Sequence, residues 1–179
     1  MYGLVNKAVV DLVTTKFGAE AWTKIKQKAD VDIDVFVSMD AYPDDVTYRL
    51  VGAASEVLNL TPAQVLEAFG EYWVLFTAQE GYGPLLGASG SNLREFLINL
   101  DALHARVALT MSALKPPRFK FVDVDDKTMK LEYRSVREGL APMVIGLLRG
   151  LGIRFSTPIE VVHAKRDDHE EFTIKLVAA

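Results

Sequence analysis

An α+β fold is predicted for this chain of 179 residues, with a helical N-terminal two thirds and a four-stranded antiparallel sheet interrupted by one further helix. Three features predict it. Up to Met111, apolar residues recur at three- and four-residue spacing, as helices with one buried face require. From Phe119 onward, apolar and polar residues alternate in short runs, as in half-buried strands. Between the two regimes stands Pro116-Pro117, which lacks the amide protons needed to continue a helix.

The first helix runs from Gly3 to Phe17, with Leu4, Val5, Ala8, Val9, Leu12 and Val13 on one face, and Gly18 stops it. Ala19 to Ala29 forms a shorter second helix. Pro43-Asp44-Asp45 opens a third, running to about Leu58, with proline and acids in its first turn. Thr61-Pro62-Ala63-Gln64 has the form of a capping box and starts a fourth, which carries the aromatic group between Phe69 and Phe76. Gly81, Gly83, Pro84, Gly87 and Gly90 are expected to break the chain before a helix from Ser91 to Met111. Phe119 to Val124 and Thr128 to Ser135 form a hairpin turning at Asp125-Asp126. Leu140 to Phe155 is the inserted helix. Ile159 to Lys165 and Glu171 to Val177 make a second hairpin across Arg166-Asp167-Asp168-His169. Residues 1–179 are expected to form one domain, without repeat or linker.

Composition narrows the functions. Half of the residues are hydrophobic and a quarter charged, which suits a packed core. A net charge of −4 with no concentrated basic stripe argues against nucleic acid as a partner. Arg149 interrupts the longest apolar stretch, so no membrane partner is expected. The N-terminus carries Lys7 and Asp11 in an amphipathic pattern rather than a signal-peptide core, and the chain reads as cytoplasmic. Cysteine is absent. That removes disulfides, thiol nucleophiles, zinc–thiolate sites, thioether-linked heme and a cysteinate iron ligand.

Two stretches carry chemistry. Tyr133, Ser135 and Arg137 alternate in a run that continues a strand, which presents a phenol, a hydroxyl and a guanidinium on one side. Such a row donates hydrogen bonds to carboxylates, and arginine can grip one bidentately. It suits a ligand with two carboxylates on an apolar body, such as heme, although the same pattern also describes the solvated face of a sheet. Upstream, His104 lies on the apolar stripe of its helix beside Leu97, Leu100, Val107 and Met111. It reads either as a satisfied core histidine or as an axial ligand to iron in an apolar cavity. His163, His169 and the acids around them lie in an exposed hairpin, where charged turns are routine. No nucleophile motif, phosphate-cradling loop or acid–base carboxylate pair is present.

Together with Met1-Tyr2-Gly3-Leu4-Val5-Asn6, Asp44-Asp45, Phe69-Gly70-Glu71-Tyr72-Trp73, Asp101-Ala102-Leu103-His104, Pro116-Pro117 and Gly139 to Gly152, these residues resemble the heme nitric-oxide/oxygen-binding (H-NOX) sensor domains. Those domains are related to the heme domain of soluble guanylate cyclase. The resemblance extends from end to end. It implies a non-covalent heme b buried between the helical part and the sheet, with His104 as the iron ligand. It further implies that Tyr133, Ser135 and Arg137 bind the propionates and that Pro117 presses on the porphyrin; a simple helix stop accounts for Pro117 equally well. The opposite face would be lined by Met1, Val5, Val9, Trp73 and Met143. Oxygen-binding members place a tyrosine, a tryptophan and an asparagine where this chain has Met143, Val9 and Trp73. The tyrosine is thus lost, which implies binding of NO and CO with O₂ excluded. Trp73 either fills volume or donates its indole N–H to bound ligand, and the second role would make an O₂ sensor.

The resemblance implies a sensor rather than an enzyme. NO would weaken the iron–His104 bond and so signal to a separate protein, a histidine kinase or a cyclic-dinucleotide enzyme. Two other classes remain as rivals. One is a heme-free module that takes an apolar ligand or a partner helix. The other is a heme enzyme, which would need distal acid–base groups that Val9, Trp73 and Met143 lack.

Overall fold

The computed structural model describes residues 1–111 and 113–177, with backbone alone for 77–81. Seven α-helices and one antiparallel sheet are present among the described residues. The chain divides into two compact units, Met1–Phe69 and Gly70–Ala179.

The first unit is helical. Helices α1 (Gly3–Phe17) and α2 (Ala19–Lys28) meet at Gly18, whose φ of 87° lies in the left-handed region that glycine adopts without strain. Helix α3 (Asp44–Leu58) follows and is closed by Asn59 in the left-handed conformation. Ala8, Val9, Leu12 and Val13 of α1, Ile25 of α2 and Leu50, Val51 and Ala54 of α3 are buried. A buried hydrogen bond of 2.6 Å from Thr47 Oγ1 to Asn6 Oδ1 ties α3 to α1. Gly3 approaches the chain closely, because a Cβ there would fall 2.0 Å from the Val37 carbonyl oxygen. The boundary between the units falls inside α4 (Pro62–Tyr72). Thr61 and Gln64 cap that helix reciprocally, with the Gln64 N–H donating to Thr61 Oγ1 and the Thr61 N–H donating to Gln64 Oε1.

In the second unit α4 loosens into a π-helical turn over Trp73–Thr77, followed by α5 (Ala78–Gly87). Helical backbone runs through Gly81, Gly83 and Pro84 where a break was expected, while the break before α6 follows Gly87 and includes Gly90, whose φ is 159°. The reason lies in a kink at Tyr82, where φ is −131°. Pro84 then falls in the first turn of the helical segment beyond the kink, where a missing amide proton costs least. Helix α6 (Leu93–Thr110) starts at Asn92, whose side chain accepts from the Glu95 N–H.

Strands β1 (Arg118–Asp123) and β2 (Thr128–Arg134) precede α7 (Ala141–Arg154), and β3 (Ile159–Lys165) and β4 (Glu170–Leu176) follow it. The sheet order is β1-β2-β4-β3, antiparallel throughout, so β1 and β3 are its edges. Its inner face presents Met129, Leu131, Tyr133, Phe172 and Ile174 to a core shared with α6 and α7. The outer face is polar: Lys120 and Arg134 both pair with Glu132, and Lys130 and Arg166 with Glu171. One-sided burial of this kind produces the apolar–polar alternation in the sequence. The fold class matches the expectation, with the inserted helix between β2 and β3.

Candidate functional site

His104 is half-buried on α6, one turn beyond buried Leu100 and two turns beyond buried Leu97. Its Nδ1 lies 2.9 Å from the Leu100 carbonyl oxygen, one turn earlier. A carbonyl can only accept, so Nδ1 carries the proton and Nε2 carries the lone pair. Burial pushes the imidazole below its ordinary pKa of 6.5, against the smaller opposing effects of Leu100 and Asp101. The residue is therefore a neutral imidazole with a fixed tautomer, the form that ligates a metal.

Asp101 holds this helix to β1. Its Oδ1 accepts from Arg118 Nε at 3.0 Å and from the Phe119 N–H at 2.9 Å. These two contacts, led by Arg118, keep its carboxyl below the usual carboxylate range. Phe119, thus anchored, stands between the two sequence motifs. Its ring centroid is 5.1 Å from that of His104 and 5.4 Å from that of Tyr133.

Tyr133 is buried on β2, and burial raises its pKa. The strand ends at Arg134, so Ser135 and Arg137 follow it rather than extend it. Ser135 accepts the Arg137 N–H at 3.0 Å through its hydroxyl, which turns the chain. Ser135 and the Arg137 charge both draw the pKa of the phenol down against the effect of burial, so the three groups lie close together. Arg137 Nη1 donates to the Lys115 carbonyl at 2.9 Å, just before Pro116-Pro117. Pro117 is half-buried at the entrance to β1. The second unit therefore brings His104, Pro117, Tyr133, Ser135 and Arg137 around Phe119 and the start of β1.

The remaining candidates lie apart in sequence. Trp73 opens the π-helical turn and packs on the core, and Met143 lies in the first turn of α7. Those segments approach so closely that a Cβ on Gly70 would fall 2.2 Å from the Met143 carbonyl oxygen. Val5 and Val9 are one turn apart on α1, with Val9 buried. The Met1 amino group lies 2.5 Å from both Asp44 Oδ1 and the Tyr42 carbonyl oxygen.

Sequence reasoning missed two features. One is the π-helical turn, a local widening that often marks functional sites. The other is Glu170, which faces the same side of the sheet as Tyr133, its cross-strand partner. The parity of Phe172 and Ile174 carried that signal, but acids beside a hairpin turn read as solvated. His163 pairs with Glu170 and His169 with Asp168. Among the described residues, no group of three or more His, Cys, Asp or Glu is placed to hold a metal ion.

The sequence profile of the haem-NO-binding family matches residues 2–163. The soluble guanylate cyclase gcy-35 of Caenorhabditis elegans is 30% identical over 174 residues, which is 94% of this chain and 25% of that protein. The soluble guanylate cyclase gcy-37 of the same organism is 32% identical over 152 residues, 83% of this chain and 22% of that one. This chain thus spans about a quarter of the length of these relatives. Among solved structures, an H-NOX protein from S. oneidensis in its Fe(II)NO ligation state superposes with a TM-score of 0.89 at 20% identity, covering 99% of this chain and 100% of that one. The Fe(II) unliganded H-NOX protein from K. algicida gives 0.85 at 21% identity, with 100% and 98% covered. These structural likenesses show a shared fold. The donor set present suits heme, the cofactor of the family: a neutral imidazole with a free Nε2 lone pair, and a phenol, hydroxyl and guanidinium gathered nearby for carboxylates. From the profile that spans most of its length, and from relatives that match along nearly all of it, the chain belongs to the haem-NO-binding family.

Proposed function

We propose that residues 1–179 act as one heme-binding sensor domain for NO and CO that excludes O₂. The observation that carries this reading is His104: neutral, oriented by Leu100, and separated by a single phenylalanine ring from the Tyr133–Ser135–Arg137 cluster. His104 would supply the iron ligand, the cluster would bind the propionates, and Pro117 would bear on the porphyrin. Trp73 and Met143 would line the gas-binding side. Heme supplies the gas-binding metal; the chain supplies its ligand, its carboxylate anchors and an apolar surround.

The signal follows from α6. Release of His104 on NO binding would leave that helix held at its middle by Leu100, Leu103 and the Asp101 contacts, and free it to take a second position. A separate partner would read that position, with a histidine kinase or a cyclic-dinucleotide enzyme as the expected class, in the cytoplasm. No helix among the described residues is long and apolar enough to cross a membrane. The chain would sense rather than catalyse, because Trp73 and Met143 offer no distal acid–base pair.

One experiment tests the whole reading. Protein produced with heme available should show a ferrous visible spectrum that changes with NO and with CO. His104→Gly should retain heme only when imidazole is supplied. An unchanged spectrum and full heme content in His104→Gly without imidazole would sink the ligand assignment. Absence of any visible absorption in the parent would favour the heme-free module.

A further inference from the structure

Cross-strand partners share a face of a sheet. The registers therefore place Phe119, Tyr133, Glu170 and Lys165 in one row across the inner face, from β1 to β3. The next row is Phe121, Leu131, Phe172 and His163. An acid thus stands directly beside the phenol proposed to meet a propionate, on the side facing the core.

Glu170 is held there by one partly exposed contact. Its Oε2 lies 2.7 Å from His163 Nε2, and its side chain is only 25% exposed. The His163 ring in turn stacks on Phe172, which is completely buried, at 5.1 Å and 25°. Tyr133 feels both charges in the neighbourhood, with Arg137 drawing its pKa down and Glu170 pushing it up. Beyond Tyr133 along the chain an anion meets Arg137; across the sheet towards β4 it meets Glu170.

We infer that Glu170, held by His163, is a specificity-determining residue of the carboxylate site, opposing ligand carboxylates that drift towards β4 and directing them to Ser135 and Arg137. This rests on the reading of Tyr133, Ser135 and Arg137 as propionate anchors. Heme affinity is then set by a balance of a guanidinium against a carboxylate, rather than by attraction alone. His163 matters through the same carboxylate, since its ring nitrogen holds Glu170 in place and softens its charge.

The test compares heme with heme dimethyl ester, in which both carboxylates are neutral, in the parent and in Glu170→Gln, His163→Leu, Glu170→Gln/His163→Leu and Arg137→Ala. Affinity is read from the rate of heme transfer to an acceptor apoprotein at low salt. Glu170→Gln should slow loss of heme by about two- to five-fold, the scale of a partly exposed charge contact. It should leave loss of the ester unchanged, and 0.5 M salt should shrink the effect because exposed charges are screened. His163→Leu should hasten heme loss, but not once Glu170 is already glutamine. An equal change for heme and its ester would make Glu170 a matter of shape and overturn the inference. So would no change in Glu170→Gln while Arg137→Ala loses heme readily. If Arg137→Ala holds heme as firmly as the parent, the propionate assignment falls and this inference falls with it.

Discussion

Arg137 and Ser135 contribute unequally to holding an anion, although they sit two residues apart. Arg137 offers a fixed charge whose hydrogen bonds are charge-assisted, while Ser135 offers a neutral hydroxyl already engaged with the Arg137 N–H. Arg137→Ala should therefore weaken heme binding by about 1.5–3 kcal/mol and Ser135→Ala by ~1 kcal/mol, measured as heme transfer rates; the reverse order would place Arg137 outside the site. His104 makes a different prediction, readable without cofactor. Burial holds its folded-state pKa below 6.5, so as pH falls the unfolded chain takes the proton first. Stability is then lost as pH drops through and below that value, while above it His104 contributes no slope. The urea midpoint of the cofactor-free parent should fall more between pH 7.5 and 5.5 than that of His104→Gln. Equal slopes would show that His104 is not desolvated.

At the scale of elements, the crossing of α4 and its π-helical turn with α7 depends on the absence of a side chain at Gly70. A Cβ there would meet backbone, the Met143 carbonyl oxygen at 2.2 Å and the Leu147 nitrogen at 2.7 Å, so no rotamer change relieves it. Gly70→Ala should push the helices apart and cost about 1–3 kcal/mol in a denaturant titration; a neutral result would mean that the crossing has room for a methyl group. What the sequence revealed, and what it concealed, divides along the same lines. Helices α1, α3 and α6 were legible because each buries one stripe, and β2 because Met129, Leu131 and Tyr133 alternate. His104 was legible from its stripe, and the cluster from its spacing, although Ser135 and Arg137 leave the strand and are gathered by a turn. Helix α5 was hidden by its glycines and Pro84, which are tolerated only because Tyr82 kinks. Glu170 was hidden because its direction depends on pairing with β2, a contact 37 positions away in sequence (170 − 133).

For the whole molecule the proposed function is tested most sharply through gas selectivity. An O₂ ligand accumulates negative charge and needs a donor, whereas NO and CO depend on one far less. Met143 supplies no donor. Reduced protein in air should show no lasting oxy spectrum, and Met143→Tyr should create one. If the parent holds O₂ and Trp73→Phe abolishes it, the indole N–H is the donor. If Met143→Tyr changes nothing, Met143 lies outside the gas-binding side.

The order of the strands also bears on handling at high concentration. Among the described residues β1 and β3 have no strand beyond them, and although Asp101 takes the Phe119 N–H of β1, such edges invite one molecule to zip onto another. Charged side chains counter this along both rims, Arg118, Lys120 and Asp123 on one and Glu160 and Lys165 on the other. Stacking two copies rim to rim would crowd those ions and strip their water. Replacing Glu160 and Lys165 with valine would leave β3 almost wholly apolar and β-branched. Concentrated solutions of that variant should scatter light and bind thioflavin T long before the parent does, with the monomer's unfolding midpoint scarcely altered. Comparable turbidity in both would mean that the rim charges have no protective role.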